Sequence, residues 1–137
     1  IYTLGSQMEE TDMETVLTTG IPAIFLITEA QFREVMEELS ISVESDSPLS
    51  EICFCKVEVQ QECLYGTFAI PRLLDVLGSR YRIACVITDK YIVLADNDGF
   101  ARRLVERIRR KKAHFSITSW WNLSRRTRCC WRITNGN

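Results

Sequence analysis

The sequence predicts an α+β domain whose sheet is mostly antiparallel or mixed and whose helices pack on its faces. Three observations support this fold class: a β-type apolar run at residues 21–27, two pairs of alternating apolar segments after it, and two stretches with helical periodicity. The predicted order along the chain is strand, helix, hairpin, hairpin, helix. A chain of 137 residues with 46% hydrophobic and 26% charged residues has the size and composition of one globular domain.

The first strand and the first helix are predicted between residues 21 and 39. Residues 21–27 are rich in β-branched and aromatic types, as buried strands are. Thr28, with Gln31 three residues later, has the spacing of a capping box that starts a helix. Four apolar residues then recur at helical spacing and predict the buried face of this helix: Phe32, Val35, Met36 and Leu39.

Two hairpins are predicted after a polar loop at residues 40–50. The first begins with a strand at Ile52 and returns over residues 63–70, and the second joins residues 81–88 to residues 91–96. Residues 81–88 are apolar on both faces, which predicts an interior strand covered on both sides. Alternation in the first hairpin predicts that four residues share one face: Cys53, Cys55, Val57 and Val59.

The second helix is predicted from residue 100 to about residue 112. The turn Asp96-Asn97-Asp98-Gly99 supplies its start, and its arginines lie towards its C-terminal end, as the helix dipole favours. Five apolar residues at helical spacing predict its buried stripe: Phe100, Ala101, Leu104, Val105 and Ile108.

The cellular location is predicted from two expected absences in the sequence, a membrane-spanning segment and a signal peptide. The longest stretch without a charge, residues 15–28, contains Gly20 and Pro22 and is shorter than the roughly 20 residues that span a bilayer. Residues 1–5 do not have the basic patch and long apolar run of a signal peptide. We therefore expect a cytoplasmic protein.

The six cysteines are interpreted as free thiols, because a non-secreted domain of this size does not need disulfides. The Cys53-x-Cys55 and Cys129-Cys130 spacings are not those of zinc sites, and the sequence has one histidine. Cys53, Cys55 and Cys85 occupy alternating apolar strand positions, so we expect all three to be buried.

Asp96 and Asp98 are the candidate metal ligands. They lie two residues apart in a turn, and carboxylates suit a hard cation such as Mg²⁺. The alternative is that they cap the helix that follows and interact with its dipole. The sequence contains no Gly-rich phosphate loop, no Ser/His/Asp set and no Cys/His nucleophile pairing, so we expect no enzymatic activity.

Charge is distributed unevenly along the chain. Residues 1–100 hold six basic and seventeen acidic side chains, whereas residues 101–137 hold eleven basic and one acidic side chain. The basic segment, with Trp120, Trp121 and Trp131 near its end, has a composition that suits nucleic acid. The acidic first hundred residues oppose that interpretation, so nucleic acid is the alternative partner and not the expected one.

The segments Cys63-Leu-Tyr-Gly-Thr-Phe-Ala-Ile-Pro71 and Tyr81-Arg-Ile-Ala-Cys-Val-Ile-Thr-Asp-Lys-Tyr-Ile-Val-Leu-Ala-Asp96 are followed by Asp98-Gly99 and an Arg-rich helix. Together, in this order, they resemble the N-terminal cytoplasmic domain of CorA-type transporters of magnesium and other divalent cations. The resemblance covers about residues 20–112. It implies a helix–sheet–helix layering and a homopentamer whose cytoplasmic domains form a funnel, with divalent ions at domain interfaces that hold the channel closed.

The resemblance also sets expectations about partners and cations. The family's stalk, its two membrane helices and its Gly-Met-Asn pore signature do not occur in these 137 residues, so we expect that this chain does not transport ions alone. In a full-length protein its partners would be other copies of itself and its own membrane domain. We expect the isolated chain to be a monomer or small oligomer. We also expect that it binds no cofactor tightly and that it binds Mg²⁺ or another divalent cation weakly at most.

The domain is predicted to span residues 1–112, and residues 113–137 form a distinct tail. From Ser116 onward the tail has no acidic residue, two adjacent tryptophans, two adjacent cysteines and no sustained heptad pattern. One permitted codon choice for this tail, with the frame displaced by two bases from Phe115, encodes a peptide that resembles the family's stalk. We therefore interpret the tail as the product of a shifted reading frame. The alternative is a natural tail whose tryptophans pack on the sheet.

Overall fold

The computed structural model describes residues 1–5, 7–45, 47–72 and 79–111. Within these ranges the chain forms six strands, three α-helices and one short 3-10 helix. In chain order these are β1 (Tyr2–Thr3), α1 (Met13–Thr19), β2 (Ala23–Ile27), α2 (Glu29–Glu38), the 3-10 helix (Leu49–Glu51), β3 (Lys56–Val59), β4 (Leu64–Pro71), β5 (Arg80–Ile87), β6 (Tyr91–Asp96) and α3 (Phe100–Lys111).

All six strands belong to one mixed sheet with the order β1-β2-β6-β5-β4-β3. Strand β2 pairs with β6 in parallel, and the other four pairings are antiparallel. The predicted α+β class with a mixed sheet is therefore confirmed. Both predicted hairpins are present, as β3–β4 and β5–β6, but the first strand of the first hairpin begins at Lys56 and not at Ile52. Strand β4 pairs with β5 along its whole length.

Helices lie on both faces of the sheet because successive residues of a strand point to opposite sides. Phe25 packs on one face with Val16 of α1 and Val35 of α2. Its neighbour Ile24 packs on the other face with Val105 of α3. The parallel β2–β6 pair in the interior of the sheet thus contributes to both apolar layers.

The helix ends follow local side-chain chemistry. Thr28 precedes α2, and its backbone N–H donates to Gln31 Oε1 at 3.1 Å, as the predicted capping box requires. Helix α1 is not among the predicted helices. Asp12 precedes it, and Asp12 Oδ1 accepts from the Thr15 N–H at 2.7 Å. Hydrogen bonds from the Thr15 side chain and, second, from the Thr15 N–H lower the pKa of Asp12. Gly20 ends α1 with φ of 65°, a conformation that glycine adopts without strain.

The predicted helix faces are confirmed in part. Val35, Met36 and Leu39 are buried, and Phe32 is half-buried. In α3, however, Leu104 is 42% exposed and Ile108 is 43% exposed, although Ala101 and Val105 are buried. The helix therefore packs on the sheet along a narrower stripe than its sequence predicts.

The predicted burial of the cysteines is right for Cys85 and wrong for Cys53 and Cys55. Cys85 is buried in β5, whereas Cys53 and Cys55 are exposed, because strand β3 begins only at Lys56 and lies at the end of the sheet. Hydrogen bonds instead hold the segment before β3: the Arg80 guanidinium donates to the Cys53 carbonyl, and Arg82 Nε donates to the Ile52 carbonyl at 2.9 Å. Cys63 is also buried.

The tail predicted at residues 113–137, with the reading-frame hypothesis attached to it, lies outside the described residues. In the part of the chain that the structure describes, no helix combines the length and apolar character needed to cross a membrane.

Candidate functional site

The two candidate aspartates lie in the turn that joins β6 to α3. Asp96 is the last residue of β6, and Phe100 is the first residue of α3. Gly99 has φ of 67°, so the turn requires a left-handed residue directly before the helix. The strand end and the helix start therefore hold Asp96, Asn97 and Asp98 in one short segment.

Asp96 is buried, with 7% of its surface exposed. Its Oδ2 accepts a hydrogen bond from the Ala101 N–H at 3.0 Å. The first N–H groups of a helix have no partner within the helix, and this carboxylate satisfies one of them. A negative charge at this end of α3 also interacts favourably with the helix dipole. Asp96 thus has the geometry of the capping role that the sequence left open.

Asp98 lies on the surface of the same turn and forms an ion pair. Its Oδ1 is 2.8 Å from Arg72 Nη2, and the two side chains are 38% and 39% exposed. The Asp98 carbonyl accepts a further hydrogen bond from Arg103 Nη1 at 3.1 Å. The turn is therefore linked both to the end of β4, through Arg72, and to the first turn of α3, through Arg103.

A stack of aromatic and arginine side chains supports this turn, and the sequence pattern does not predict it. The rings of Tyr81 and Phe100 stack with centroids 4.4 Å apart and an interplanar angle of 21°. The guanidinium carbons of Arg72 and Arg103 lie 4.6 Å and 5.7 Å from the Tyr81 ring centroid. A positive group over an aromatic face is attracted to the ring. Helical periodicity indicated Phe100 as apolar, but nothing in the pattern identified its partner.

Asn97, between the two aspartates, bonds to the start of α2. Asn97 Oδ1 accepts from the Glu29 N–H at 3.2 Å, and Asn97 Nδ2 donates to Glu29 Oε2 at 2.9 Å. The other oxygen of this carboxylate, Glu29 Oε1, accepts from the Leu49 N–H at 2.7 Å. The three polar residues of the turn therefore hold three different parts of the fold.

The chemistry available to a cation at this turn follows from these contacts. Asp96 and Asp98 are brought into one turn, but each carboxylate has its own protein partner, and the partner of Asp98 is a cation. Within residues 1–5, 7–45, 47–72 and 79–111, no group of three or more His, Cys, Asp or Glu side chains is arranged to hold a metal ion. A divalent ion at Asp98 would compete with Arg72, since both need the same oxygens.

A cleft of about 810 Å³ lies between α2, the segment that follows it and the sheet. Phe32, Met36 and Tyr65 contribute apolar walls, and its volume is in the range of small-molecule sites. Three of its polar side chains bond to the protein itself. Ser45 Oγ lies 3.2 Å from Tyr65 OH, and both oxygens of the Glu29 carboxylate are used as described above. The cleft is also lined by Arg33 and Glu37, so its charged side chains are of both signs and do not favour one class of ligand.

Comparisons with protein-family models, with curated proteins and with solved structures give no match to this chain.

Proposed function

We propose that residues 1–111 form a regulatory and scaffold domain of a CorA-like transporter of magnesium or another divalent cation. In this proposal the ion path lies in segments outside these residues, and the domain acts at the cytoplasmic face of the membrane. Its partners are other copies of the chain in a homopentamer and the membrane domain of the same protein.

The observation that supports the proposal is the placement of the residues that carry the resemblance. Residues 64–71 form β4, residues 80–96 form β5, a turn and β6, and β4, β5 and β6 are adjacent in the sheet. Thr88, the residue before the turn, accepts N–H hydrogen bonds from Lys90 at 3.3 Å and Tyr91 at 2.9 Å. The motif segments thus form one continuous unit, with a polar motif residue fixing the turn between β5 and β6.

The surface of α3 agrees with a scaffold role. Leu104 and Ile108 are 42% and 43% exposed although both belong to the apolar stripe of the helix. Because apolar residues at regular spacing on an exposed helix face favour contact with another surface, this side of α3 is available to a neighbouring copy. The Asp96 cap and the Asp98–Arg72 pair fix the start of the same helix, so displacement of α3 would be transmitted to the sheet.

Reading the source gene beyond codon 111, in all three frames, tests the proposal. We expect one frame to encode an amphipathic helix followed by two apolar segments of about 20 residues, the length that spans a bilayer. The same reading tests the frameshift interpretation of residues 113–137. A stop codon after Asn137, with no frame encoding the two apolar segments, would refute both.

The second candidate function is an interaction with nucleic acid, and one observation favours it. Helix α3 carries six basic side chains and one acidic side chain, and all six basic ones are exposed: Arg102, Arg103, Arg107, Arg109, Arg110 and Lys111. A gel shift with mixed DNA or RNA at increasing salt distinguishes the two functions. Tight binding that weakens steeply with salt, and is lost in R107E/R110E, would favour nucleic acid over the transporter role.

A further inference from the structure

Strand β3 is one end of the sheet, so β4 is its one neighbouring strand among the described residues. The Gln60 N–H donates to the Cys63 carbonyl at 2.8 Å, next to the pairs Val59–Leu64 and Glu58–Tyr65. In an antiparallel ladder the residues that bond to the neighbour alternate with residues that do not. Lys56 and Glu58 therefore bond to β4, and Val57 and Val59 direct their backbone N–H and C=O groups away from the sheet.

The side chains of this edge are unusually apolar for a surface. Val57 is 54% exposed and Val59 is 86% exposed. Leu64 pairs with both Val59 and Ile87, so these three residues share one face, and Leu64 and Ile87 are 37% and 40% exposed. An edge strand with free backbone groups and exposed valines is a template for another strand.

The other face of β3 carries opposite charges. Lys56 and Glu58 lie two residues apart on this face and form an ion pair within the strand. In a second copy aligned antiparallel about Val57, Lys56 faces Glu58 of the partner subunit, and Glu58 faces the partner's Lys56. The edge is therefore complementary to itself in charge, and this pairing places the two charges at positions where side chains approach closely.

Charge also disfavours the neighbouring alignments. The two neighbouring antiparallel alignments that keep each side chain on the same face of the sheet are centred on Lys56 and on Glu58. The first sets two ammonium groups directly opposite each other and the second sets two carboxylates opposite each other, and like charges in this position are destabilising. An alignment centred on Val59 pairs residues beyond the end of β3. The alignment about Val57 is the one that pairs the strand and satisfies its charges.

We propose that two copies of this chain form a two-fold symmetric dimer in which their β3 strands pair antiparallel about Val57. Each Val57 N–H donates to the carbonyl of the partner's Val57, and the two six-stranded sheets become one. On one face the two Val57 side chains then lie opposite each other and each Val59 lies opposite Cys55 of the partner subunit, and two Lys–Glu pairs form across the other face. This inference goes beyond the proposed transporter role and does not rest on it.

Sedimentation equilibrium of the full 137-residue chain, in reducing buffer, tests the dimer. We expect weak association, with a dissociation constant of about 100 µM, since a single short strand pair buries a small interface. A chain that stays monomeric at about 1 mM would overturn the proposal. Higher oligomers without a dimer would overturn it too.

Charge reversal tests the alignment. K56E and E58K each turn both cross-strand attractions into repulsions, so each should raise the dissociation constant at least about tenfold. An equimolar mixture of the two variants restores opposite charges at every pair and should dimerise about as well as the native chain. If each single variant associates as tightly as the native chain, and mixing the variants changes nothing, the contact lies elsewhere and the proposal is overturned.

A backbone variant tests the hydrogen bonds. Val57→Pro removes an N–H that points away from β4, so the fold should tolerate it as edge strands tolerate proline, while the dimer should be lost. Val57→Thr keeps the N–H and the branched side chain and should keep the dimer. Melting curves at low micromolar concentration verify that both variants fold.

If Val57→Pro does not fold, the mixing experiment with K56E and E58K decides the question alone. A folded Val57→Pro chain that still dimerises would contradict the proposed pairing.

Discussion

Strand β5 and the segment at residues 52–59 are both rich in apolar residues and both contain cysteines, yet most of their side chains differ in environment. Strand β5 lies between β4 and β6, and its central residues from Ile83 to Val86 are all buried. In the segment at 52–59, Cys53 and Cys55 are exposed and the valines of β3 face solvent. The alternation in the segment at 52–59 identifies which side chains share a face of a strand. It does not say whether a second layer or a second strand covers them.

Phenylalanine truncation gives the largest expected difference between the buried and exposed parts of the molecule. Phe25 is fully buried in β2, whereas Phe54 is 69% exposed. Phe25→Ala should lower the free energy of unfolding by about 3–5 kcal/mol, because it removes apolar contacts and leaves a cavity. Phe54→Ala should change it by less than about 0.5 kcal/mol. Urea denaturation of both variants measures the difference, and similar losses would contradict the assigned environments.

The rate of thiol labelling gives the next largest expected difference between the buried and exposed parts of the molecule. Burial raises the pKa of Cys85 to about 11, from the ordinary value of 9.0. Because the thiolate is the reactive form, this shift alone should slow labelling of Cys85 at pH 8 about a hundredfold relative to an ordinary thiol, and the rate should keep rising up to pH 11. Burial also raises the pKa of Cys63.

Cys53 and Cys55 serve as the exposed controls in the same sample. Pulsed alkylation of the native chain, followed by peptide mass spectrometry, should modify these two cysteines well before Cys85. Labelling in urea should remove the difference between them. Equal native rates would place Cys85 on the surface.

The β6–α3 turn allows a buried aspartate, Asp96, to be compared with a surface aspartate, Asp98, two residues away. Asp96→Ala leaves the Ala101 N–H without its acceptor and should destabilise the fold by about 1–2 kcal/mol. Asp98→Ala removes a surface ion pair, and such pairs contribute about 0–1 kcal/mol, so the loss should be smaller. Thermal melts of both variants at equal salt compare them. A larger loss at Asp98 would show that the Arg72 pair and the Tyr81 stack act as a unit.

Added magnesium should have the smallest effect on the stability of the fold. Because both aspartates have protein partners, we expect about 5 mM Mg²⁺ to shift the melting midpoint by less than about 1 °C relative to EDTA, as weak binding to the folded state requires. Potassium chloride at matched ionic strength is the control. A rise of many degrees that Asp98→Ala abolishes would identify the turn as a cation site.

Much of the fold could be predicted because its signals are local. Strands β2, β4, β5 and β6 are marked by their apolar patterns, and α2 is marked by Thr28 and Gln31. Helix α1 was missed although Asp12 and Gly20 are ordinary start and stop residues, because its seven residues bury one side chain, Val16. Strand β1, which pairs with β2, has two residues and is too short to show an alternating pattern in the sequence.

The candidate site could be predicted in position but not in partners. A pattern of Asp, Asn, Asp and Gly before an amphipathic helix indicates a helix start, and the structure has one there. Arg72, which pairs with Asp98, and Glu29, which pairs with Asn97, come from distant parts of the chain. Such contacts depend on strand order, and the parallel pairing of β2 with β6 follows from no local signal.

That parallel pairing sets the order in which the chain can complete its sheet during synthesis. Ala23 pairs with Tyr91, so β2 leaves the ribosome 68 residues before its partner strand. At a synthesis rate of about 5–20 residues per second, roughly 3 to 14 s pass between the synthesis of β2 and that of its partner strand. During this time Phe25, which is fully buried in the folded protein, lacks its neighbours from β6. The hairpins β3–β4 and β5–β6 have no such delay, because their strands are close in sequence. The nascent chain therefore exposes its most apolar strand until β6 appears, and a chaperone that binds extended apolar segments would meet β2 first.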